Sequence, residues 1–334
     1  MTMKFFYLSK KFNQIKGYID DIIEVMQELV PFTRIKSTKD LHLIAEEIRQ
    51  TFVDIKSNIQ YIDDDVTDSQ SYVIMQVPVV AEGTKTVFNL KSNNNVSVST
   101  SGGGTDVYNT VDKKITVTNK LLEINQRNDE GWNYFNIVVK GKSTFDIKLN
   151  NSNIIALRVN NVNHTDDFAM SNAFENNKKL RTVTMKNVHT ELMVGTFRNC
   201  ENLTYFEGDL SSVINLTSLF ENCKSLQRCK IKLRNSLAEE NNETITFDMF
   251  RGCTSLELLE LDVDFSDREY KLPNLDLSDC CMTKDTLIEL LNSLPYRGDT
   301  NDRTTIIVNV EFSKSQKDSF KAKGYNVSEL IQLN

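Results

Sequence analysis

The chain has 334 residues, of which 40% are apolar and 25% are charged, and its formal net charge is -7. This length exceeds what one compact core accommodates, so the composition predicts a globular protein of two or three domains. The negative charge argues against nucleic-acid binding, which requires a basic stripe. The longest apolar stretch, 72–81, has about ten residues, whereas a membrane helix needs about twenty, so we expect no membrane insertion.

The first 62 residues carry a helical pattern in which apolar residues recur at alternating steps of three and four, the heptad spacing of a coiled coil. These residues are Phe5, Leu8, Phe12, Ile15, Ile19, Ile22, Met26 and Leu29. Isoleucine at d positions disfavours a parallel dimer, so the seam favours a homotrimer. A second helical pattern follows at 37–59. The prediction is a bundle that oligomerises and attaches the protein, and the alternative is a helical hairpin packed on its own chain.

Residues 63–150 change to short β-rich runs separated by turns rich in Asn, Gly and Ser. The runs are 72–80, 86–90, 96–100, 114–118, 132–140 and 144–149. This spacing predicts a central antiparallel β-sandwich. The Gly102-Gly103-Gly104 loop lacks the Lys-Ser/Thr and the helix of a phosphate site, so it is interpreted as a hairpin turn.

Four segments between 173 and 256 share the pattern x-Phe-x-[Asn/Gly]-[Cys/Asn]-x-x-Leu. Its phenylalanines stand 23, 23 and 30 residues apart, and a period of 23 lies within the leucine-rich-repeat range. The predicted repeat core is Phe174, Leu180, Phe197, Cys200, Leu203, Phe220, Cys223, Leu226, Phe250, Cys253 and Leu256. Each leucine opens a run able to form a short parallel strand, and stacking buries what no single repeat buries alone. We therefore predict a solenoid over 151–295.

The six cysteines form no CxxC pair, and no histidine stands at zinc-finger spacing, so neither a metal site, a disulfide framework nor a cofactor is predicted. The repeated cysteines are interpreted as small buried hydrophobic residues. A reactive thiol would need a base, and none of the three histidines recurs with the repeat.

Residues 296–334 are predicted to cap the solenoid, since helical patterns at 283–294 and 313–323 flank a strand at 304–310. The terminal unit of a solenoid has to be atypical because one of its sides has no neighbour. The whole chain is thus predicted to be multidomain α+β. Its parts would be an N-terminal α-helical coiled-coil bundle (1–62), a central antiparallel β-sandwich (63–150), a C-terminal leucine-rich-repeat solenoid (151–295) and an α/β cap (296–334).

The Phe-x-Asn-Cys-x-x-Leu pattern at 23-residue steps resembles the BspA-type leucine-rich repeats of bacterial surface proteins, which tailed bacteriophages also carry. The segments 275–278, 283–291 and 323–325 are similar to the closing segment of that family. Residues 40–49 are similar to a segment placed upstream of such repeats in phage structural proteins. The resemblance covers 154–334 and 37–60, and it implies recognition or virion architecture.

These features predict a non-enzymatic bacteriophage virion protein, a homotrimeric fibre or appendage. We expect its N-terminal helices to bind other virion proteins and its repeats to bind a host-surface protein or glycan. Only four apolar residues, 5–8, precede Lys10 and Lys11, fewer than a secretory signal has, so we expect synthesis in the host cytoplasm and release with the virion. The alternatives are a bacterial adhesin or effector, which needs an export signal, and a glycan-cleaving enzyme, for which no carboxylate pair is apparent.

Overall fold

A computed structural model of the chain describes residues 70–78, 85–100, 105–118, 134–149, 153–163, 170–233, 245–263, 273–296 and 303–330. All of them belong to one compact unit that extends from Val66 to Asn334. Strands make up 46% of this structure and helices 10%.

The described residues contain fifteen strands and two helices. The first seven strands are β1 Ser71–Pro78, β2 Lys85–Ser92, β3 Val96–Thr100, β4 Thr105–Tyr108, β5 Val111–Thr118, β6 Tyr134–Gly141 and β7 Asp146–Leu149. The next five are β8 Ala156–Asn163, β9 Thr182–His189, β10 Tyr205–Leu210, β11 Arg228–Leu233 and β12 Leu258–Val263. The last elements are β13 Leu275–Asp276, α1 Lys284–Ser293, β14 Thr304–Val308, α2 Lys314–Lys323 and β15 Tyr325–Glu329.

The first twelve strands form one mixed sheet, which contains the path β12-β11-β10-β9-β8-β1-β6-β3-β4. Strands β8 to β12 are parallel, whereas β1 is antiparallel to both β8 and β6. A second branch pairs β2 with β5 and β7, and β7 meets the end of β8. The strand β8 therefore belongs both to the antiparallel part and to the parallel part of the sheet.

The predicted multidomain α+β fold is wrong, because the described structure is mostly β and its sandwich and repeat strands share one large sheet. The physical reason is the edge of β8. An isolated solenoid would leave the N–H and C=O groups of that edge unpaired, and β1 satisfies them from Tyr72 to Gln76. The predicted coiled-coil bundle, with its seam from Phe5 to Leu29, lies outside the described residues. Both described helices stand in the C-terminal part instead.

A break interrupts the pairing of β8 and β9 at one residue in each strand. Asn161 and Asn187 both have positive φ, 52° and 49°, and asparagine tolerates this left-handed conformation better than most residues. Beyond the break, Asn163 pairs with Asp146 of β7, so β8 passes from one branch of the sheet to the other. The core formed by Val73, Leu90, Val139, Ile147 and Val159 lies among these strands.

A modified fifth unit ends the stack of repeats. The Leu277 N–H donates to the Ile307 carbonyl (2.8 Å), as the Phe220 N–H donates to the Met249 carbonyl (3.0 Å). Helix α1 then begins where the next strand of the parallel series, after β12, would stand, and the Thr283 side chain caps it by accepting from the Thr286 N–H. Strands β13, β14 and β15 form a separate parallel sheet. A helix beside β12 covers the end of a parallel series that would otherwise offer an open edge.

Candidate recognition surface on the repeat units

Each repeat has a turn with two left-handed residues four positions apart. The pairs are Asn172 and Asn176, Gly195 and Asn199, Ser218 and Asn222, and Asp248 and Gly252, with φ between 53° and 71°. Backbone N–H groups donate alternately within a turn and to the next turn. Thus Cys200 donates to the Phe197 carbonyl (3.0 Å), whereas Asn199 donates to the Glu221 carbonyl (2.8 Å). Because successive turns are joined by their own backbone, they hold the side chains of the repeat at fixed spacing.

The four repeated phenylalanines stack in the interior. The ring centroids of Phe174 and Phe197 are 5.5 Å apart, those of Phe197 and Phe220 are 5.8 Å apart, and those of Phe220 and Phe250 are 5.7 Å apart. The interplanar angles are 6°, 9° and 18°. Phe206 of β10 meets Phe220 edge-on at 4.7 Å. The rings thus join consecutive units into one core, with the offset and edge contacts that aromatic pairs prefer.

The repeated cysteines donate hydrogen bonds. The Sγ of Cys200, Cys223 and Cys253 each lies 3.1 Å from a phenylalanine carbonyl oxygen of the preceding unit. In the first unit the Asn177 Nδ2 donates to the Ile154 carbonyl at 2.9 Å instead. Burial raises the pKa of Cys200 and Cys253 to about 12, so these thiols stay protonated. Their interpretation as hydrophobic residues was incomplete, because they also bond one unit to the next.

An asparagine ladder runs along the turns. The Asn199 Nδ2 donates to the Asn176 Oδ1, and the Asn222 Nδ2 donates to the Asn199 Oδ1, both at 3.0 Å. The ladder ends at Gly252, whose N–H donates to the Asp279 Oδ2 at 2.8 Å. A Cβ at Gly252 would lie 2.5 Å from the Asn222 Oδ1, so the last asparagine leaves no room for a side chain there.

Ion pairs link the outer sides of the turns. Arg198 contacts Glu175 at 2.6 Å, and Lys178 contacts Glu201 at 2.6 Å. These side chains are partly exposed, so each pair contributes only about 0–1 kcal/mol. Their charges are already matched within the chain, which makes this side of the repeats less suited to attracting a charged ligand.

A charged face is formed by the outward residues of β9 to β12. It consists of Thr182, Thr184, Lys186, Tyr205, Glu207, Asp209, Arg228, Lys230, Lys232, Leu258, Glu260 and Asp262. The strand register aligns these residues in rows across the sheet, so that Glu207, Lys230 and Glu260 are neighbours. Burial, followed by the hydrogen bond to Glu207, raises the pKa of Tyr205 far above its usual value. The Tyr205 hydroxyl is therefore a permanent donor on this face.

An apolar strip lies on another side of the repeats, just before the turns. It consists of Leu192, Ile245 and Phe247, whose exposed fractions are 46%, 47% and 70%. Short parallel bridges join Leu192 to Asn215 and Asn215 to Ile245, so a polar residue of the intervening unit separates Leu192 from Ile245 and Phe247. Exposed apolar residues rimmed by polar ones on a rigid backbone are typical of contact sites in proteins.

No known family model matches the chain, and neither a curated protein nor a solved structure is similar to it. No helix that the structure describes is long and apolar enough to cross a membrane. Within the same described ranges, no His, Cys, Asp and Glu side chains are grouped so that they could hold a metal ion.

All eleven residues of the predicted repeat core are buried, with exposed fractions of at most 1%. They come together as one interior column, whereas the predicted oligomerisation residues lie outside the described part of the chain. The charged face and the apolar strip were missed by the sequence analysis. The alternating charges in 205–210, 228–233 and 258–263 were a usable signal for the charged face, because alternate residues of a strand share one side. The apolar strip has no periodic signal in the sequence.

Proposed function

We propose that the chain is a non-enzymatic recognition protein of a bacteriophage particle, and that its repeats bind a protein or glycan on the host surface. The apolar strip carries this proposal. Phe247 is 70% exposed although it lies on a repeat whose neighbouring phenylalanine, Phe250, is 1% exposed. Exposing an aromatic ring to water is unfavourable, so its presence on a rigid turn favours a contact role.

The rigidity of the surrounding backbone supports the same proposal. The Ser218 N–H donates to the Phe247 carbonyl at 2.8 Å, and the Ile245 N–H donates to the Ile214 carbonyl at 2.8 Å. A preorganised surface loses little conformational entropy when a ligand binds, which improves affinity without any additional contact. The polar residues between the two ends of the strip, Asn215 and Thr217, offer hydrogen-bonding groups suited to a glycan or a peptide.

The chemistry of the repeated thiols supports a binding role rather than catalysis. A nucleophilic cysteine needs a lowered pKa, whereas burial raises the pKa of Cys200 and Cys253 to about 12. The sulfurs also donate to carbonyl groups of neighbouring units. The virion part of the proposal rests on the resemblance of the repeat pattern to BspA-type repeats carried by tailed phages.

A cell-binding assay tests the recognition part. Fluorescently labelled full-length chain is mixed with candidate host bacteria, and bound protein is measured against Ile245→Ser/Phe247→Ser. Val107→Ser is the matched control, because Val107 is 63% exposed on β4, outside the apolar strip. We expect the double variant to lose at least tenfold in affinity, as removing hot-spot side chains does, and the control to bind like wild type.

Two further arms separate the remaining outcomes. Treating the cells with protease or with periodate distinguishes a protein ligand from a glycan ligand. Mass spectrometry of purified phage particles from the source strain tests whether the chain is a virion component. Unchanged binding by the double variant would refute the role of the apolar strip. If the chain is found on intact bacteria but not in phage particles, it is an adhesin and not a virion protein.

A further inference from the structure

The charged face carries more charge than pairing among the described residues explains. Lys230 contacts Glu207 and Lys232 contacts Asp209, both at 3.5 Å, which pairs both carboxylates of β10 with lysines of β11. Glu260 and Asp262 of β12 are exposed, and among the described residues neither has an ion-pair partner. The same holds for Lys186 of β9, so the two outer strands carry unmatched charges of opposite sign.

The signs alternate from strand to strand across this face. Lys186 makes β9 positive, Glu207 and Asp209 make β10 negative, Lys230 and Lys232 make β11 positive, and β12 is negative. Reversing the order of such a series exchanges every positive strand for a negative one. A face with this property complements its own copy, which is the condition for an isologous two-fold interface.

We infer that the charged face is a dimer interface, in which two copies pack face to face about a two-fold axis parallel to the strands, between β10 and β11. That axis places β10 on β11 of the second copy, and β9 on β12. An axis perpendicular to the strands, lying in the plane of the sheet, would instead place each strand on its own equivalent, where like charges repel. Charge therefore selects one orientation.

The row alignment makes the expected contacts specific. Rotation about an axis parallel to the strands does not change the position of a residue along its strand. Glu207 therefore faces Lys230 of the second copy, and Asp209 faces Lys232 of the second copy. Met185 pairs with Gly208, so Lys186 shares the row of Asp209, Lys232 and Asp262. It therefore faces Asp262 of the second copy.

The remaining rows complete the complementarity. Tyr205 shares a row with Arg228 and Leu258, so its ring faces the guanidinium of Arg228 of the second copy, a favourable cation–π arrangement. Thr184 shares the row of Glu207 and Glu260, and its hydroxyl faces the carboxylate of Glu260 of the second copy. Each contact occurs twice by symmetry.

The dimer is expected to be weak and sensitive to salt. Four strands of about six residues provide less than the roughly 800 Å² per partner of a standard interface, and most of the contacts are charged. Screening by salt at about 1 M reduces the range of such contacts to about 3 Å. We therefore expect dissociation constants of roughly 100 μM at low ionic strength, rising at least tenfold in high salt.

Sedimentation velocity of the full chain with paired variants tests the inference. Lys230→Glu/Lys232→Glu makes β10 and β11 both negative, and Glu207→Lys/Asp209→Lys makes both positive. Each variant alone repels its own copy at the charged face, so we expect the association through this face to be lost. Mixed together, the two variants present opposite charges at both carboxylate–lysine positions between β10 and β11, so we expect a heterodimer.

A third variant leaves the ion pairs of its own chain intact. Glu260→Lys/Asp262→Lys changes only β12, which like β9 has no described ion pair, and we expect it to weaken the dimer at least tenfold. Circular dichroism establishes that each variant is folded. A wild-type chain that stays monomeric up to about 500 μM at low salt overturns the inference, since a dimer of the expected strength is then detectable. A wild-type dimer that the variants leave unchanged, or two variants that fail to associate when mixed, also overturns it.

Discussion

Replacing Phe220 by alanine tests whether the aromatic column is the main stabilising element of the repeats. Its side chain is fully buried, with ring contacts to Phe197 at 5.8 Å, to Phe250 at 5.7 Å and to Phe206 at 4.7 Å. A buried phenylalanine truncated to alanine costs about 3–5 kcal/mol. The turns on either side are joined by backbone hydrogen bonds, so the cavity cannot collapse, and the three ring contacts are lost as well. We therefore expect about 4–5 kcal/mol.

Urea unfolding of the full chain, followed by circular dichroism, measures this loss as a change in the free energy of unfolding. Phe320→Ala in α2 is the matched control, because Phe320 is 5% exposed and has one described ring contact, with Phe312 at 5.7 Å. We expect the control to lose about 3 kcal/mol, the lower end of the range for such truncations. If Phe220→Ala costs no more than the control, the aromatic column is not the source of repeat stability.

Three further predictions follow from the structure. Gly252→Ala is expected to lower the free energy of unfolding, measured in urea, by about 1–3 kcal/mol, because φ is +71° and the new Cβ meets the Asn222 Oδ1. Adding Asn222→Ala should restore the part of this loss that the clash causes. If nothing is restored, the backbone conformation alone causes the loss. Titration with a thiol reagent should modify Cys281 alone in the folded chain, and the five buried cysteines only after unfolding; rapid modification of several thiols would contradict their burial. The hydrogen bond from Lys317 lowers the pKa of Glu329, so its stabilising effect is present above pH 4.5 and is lost as the pH falls through the lower folded pKa. In urea unfolding at several pH values, Glu329→Gln should therefore reduce the loss of stability in acid, and an unchanged acid dependence would refute this role.

The residues of the predicted repeat core are buried, and the sequence signal that singled them out is local. Each unit repeats a phenylalanine, a small residue and a leucine at the same offsets, and a buried position tolerates few residue types. In 63–150, alternation located β1, β2, β3, β5, β6 and β7 close to their observed bounds. It missed β4, which directly follows the predicted Gly102-Gly103-Gly104 turn and whose first three residues are exposed. An exposed strand has no alternation of apolar and polar residues to detect.

The joining of the two β regions was not predictable from such patterns. The pairing of Tyr72 with Asn160 connects residues that are far apart in the chain, and local periodicity does not specify the partner of a strand. The break at Asn161 and Asn187 was not predictable either, because asparagine is common throughout this chain and only some of the described asparagines adopt positive φ. The predicted domain boundary near residue 150 thus fell between strands of one sheet.

The second left-handed position of the repeated turn shows how the stack of repeats ends. Asn176, Asn199 and Asn222 occupy it in the first three units, and the amides of Asn199 and Asn222 each donate to the asparagine of the preceding unit. The fourth unit has Gly252, which has no side chain to continue the ladder. The Gly252 N–H donates a hydrogen bond to the Asp279 carboxylate of the next unit. A carboxylate accepts hydrogen bonds but has no N–H to donate, so it stops a ladder built from amides. Helix α1 follows directly, and the parallel series therefore ends in a residue that can bond backwards to the stack but cannot extend it.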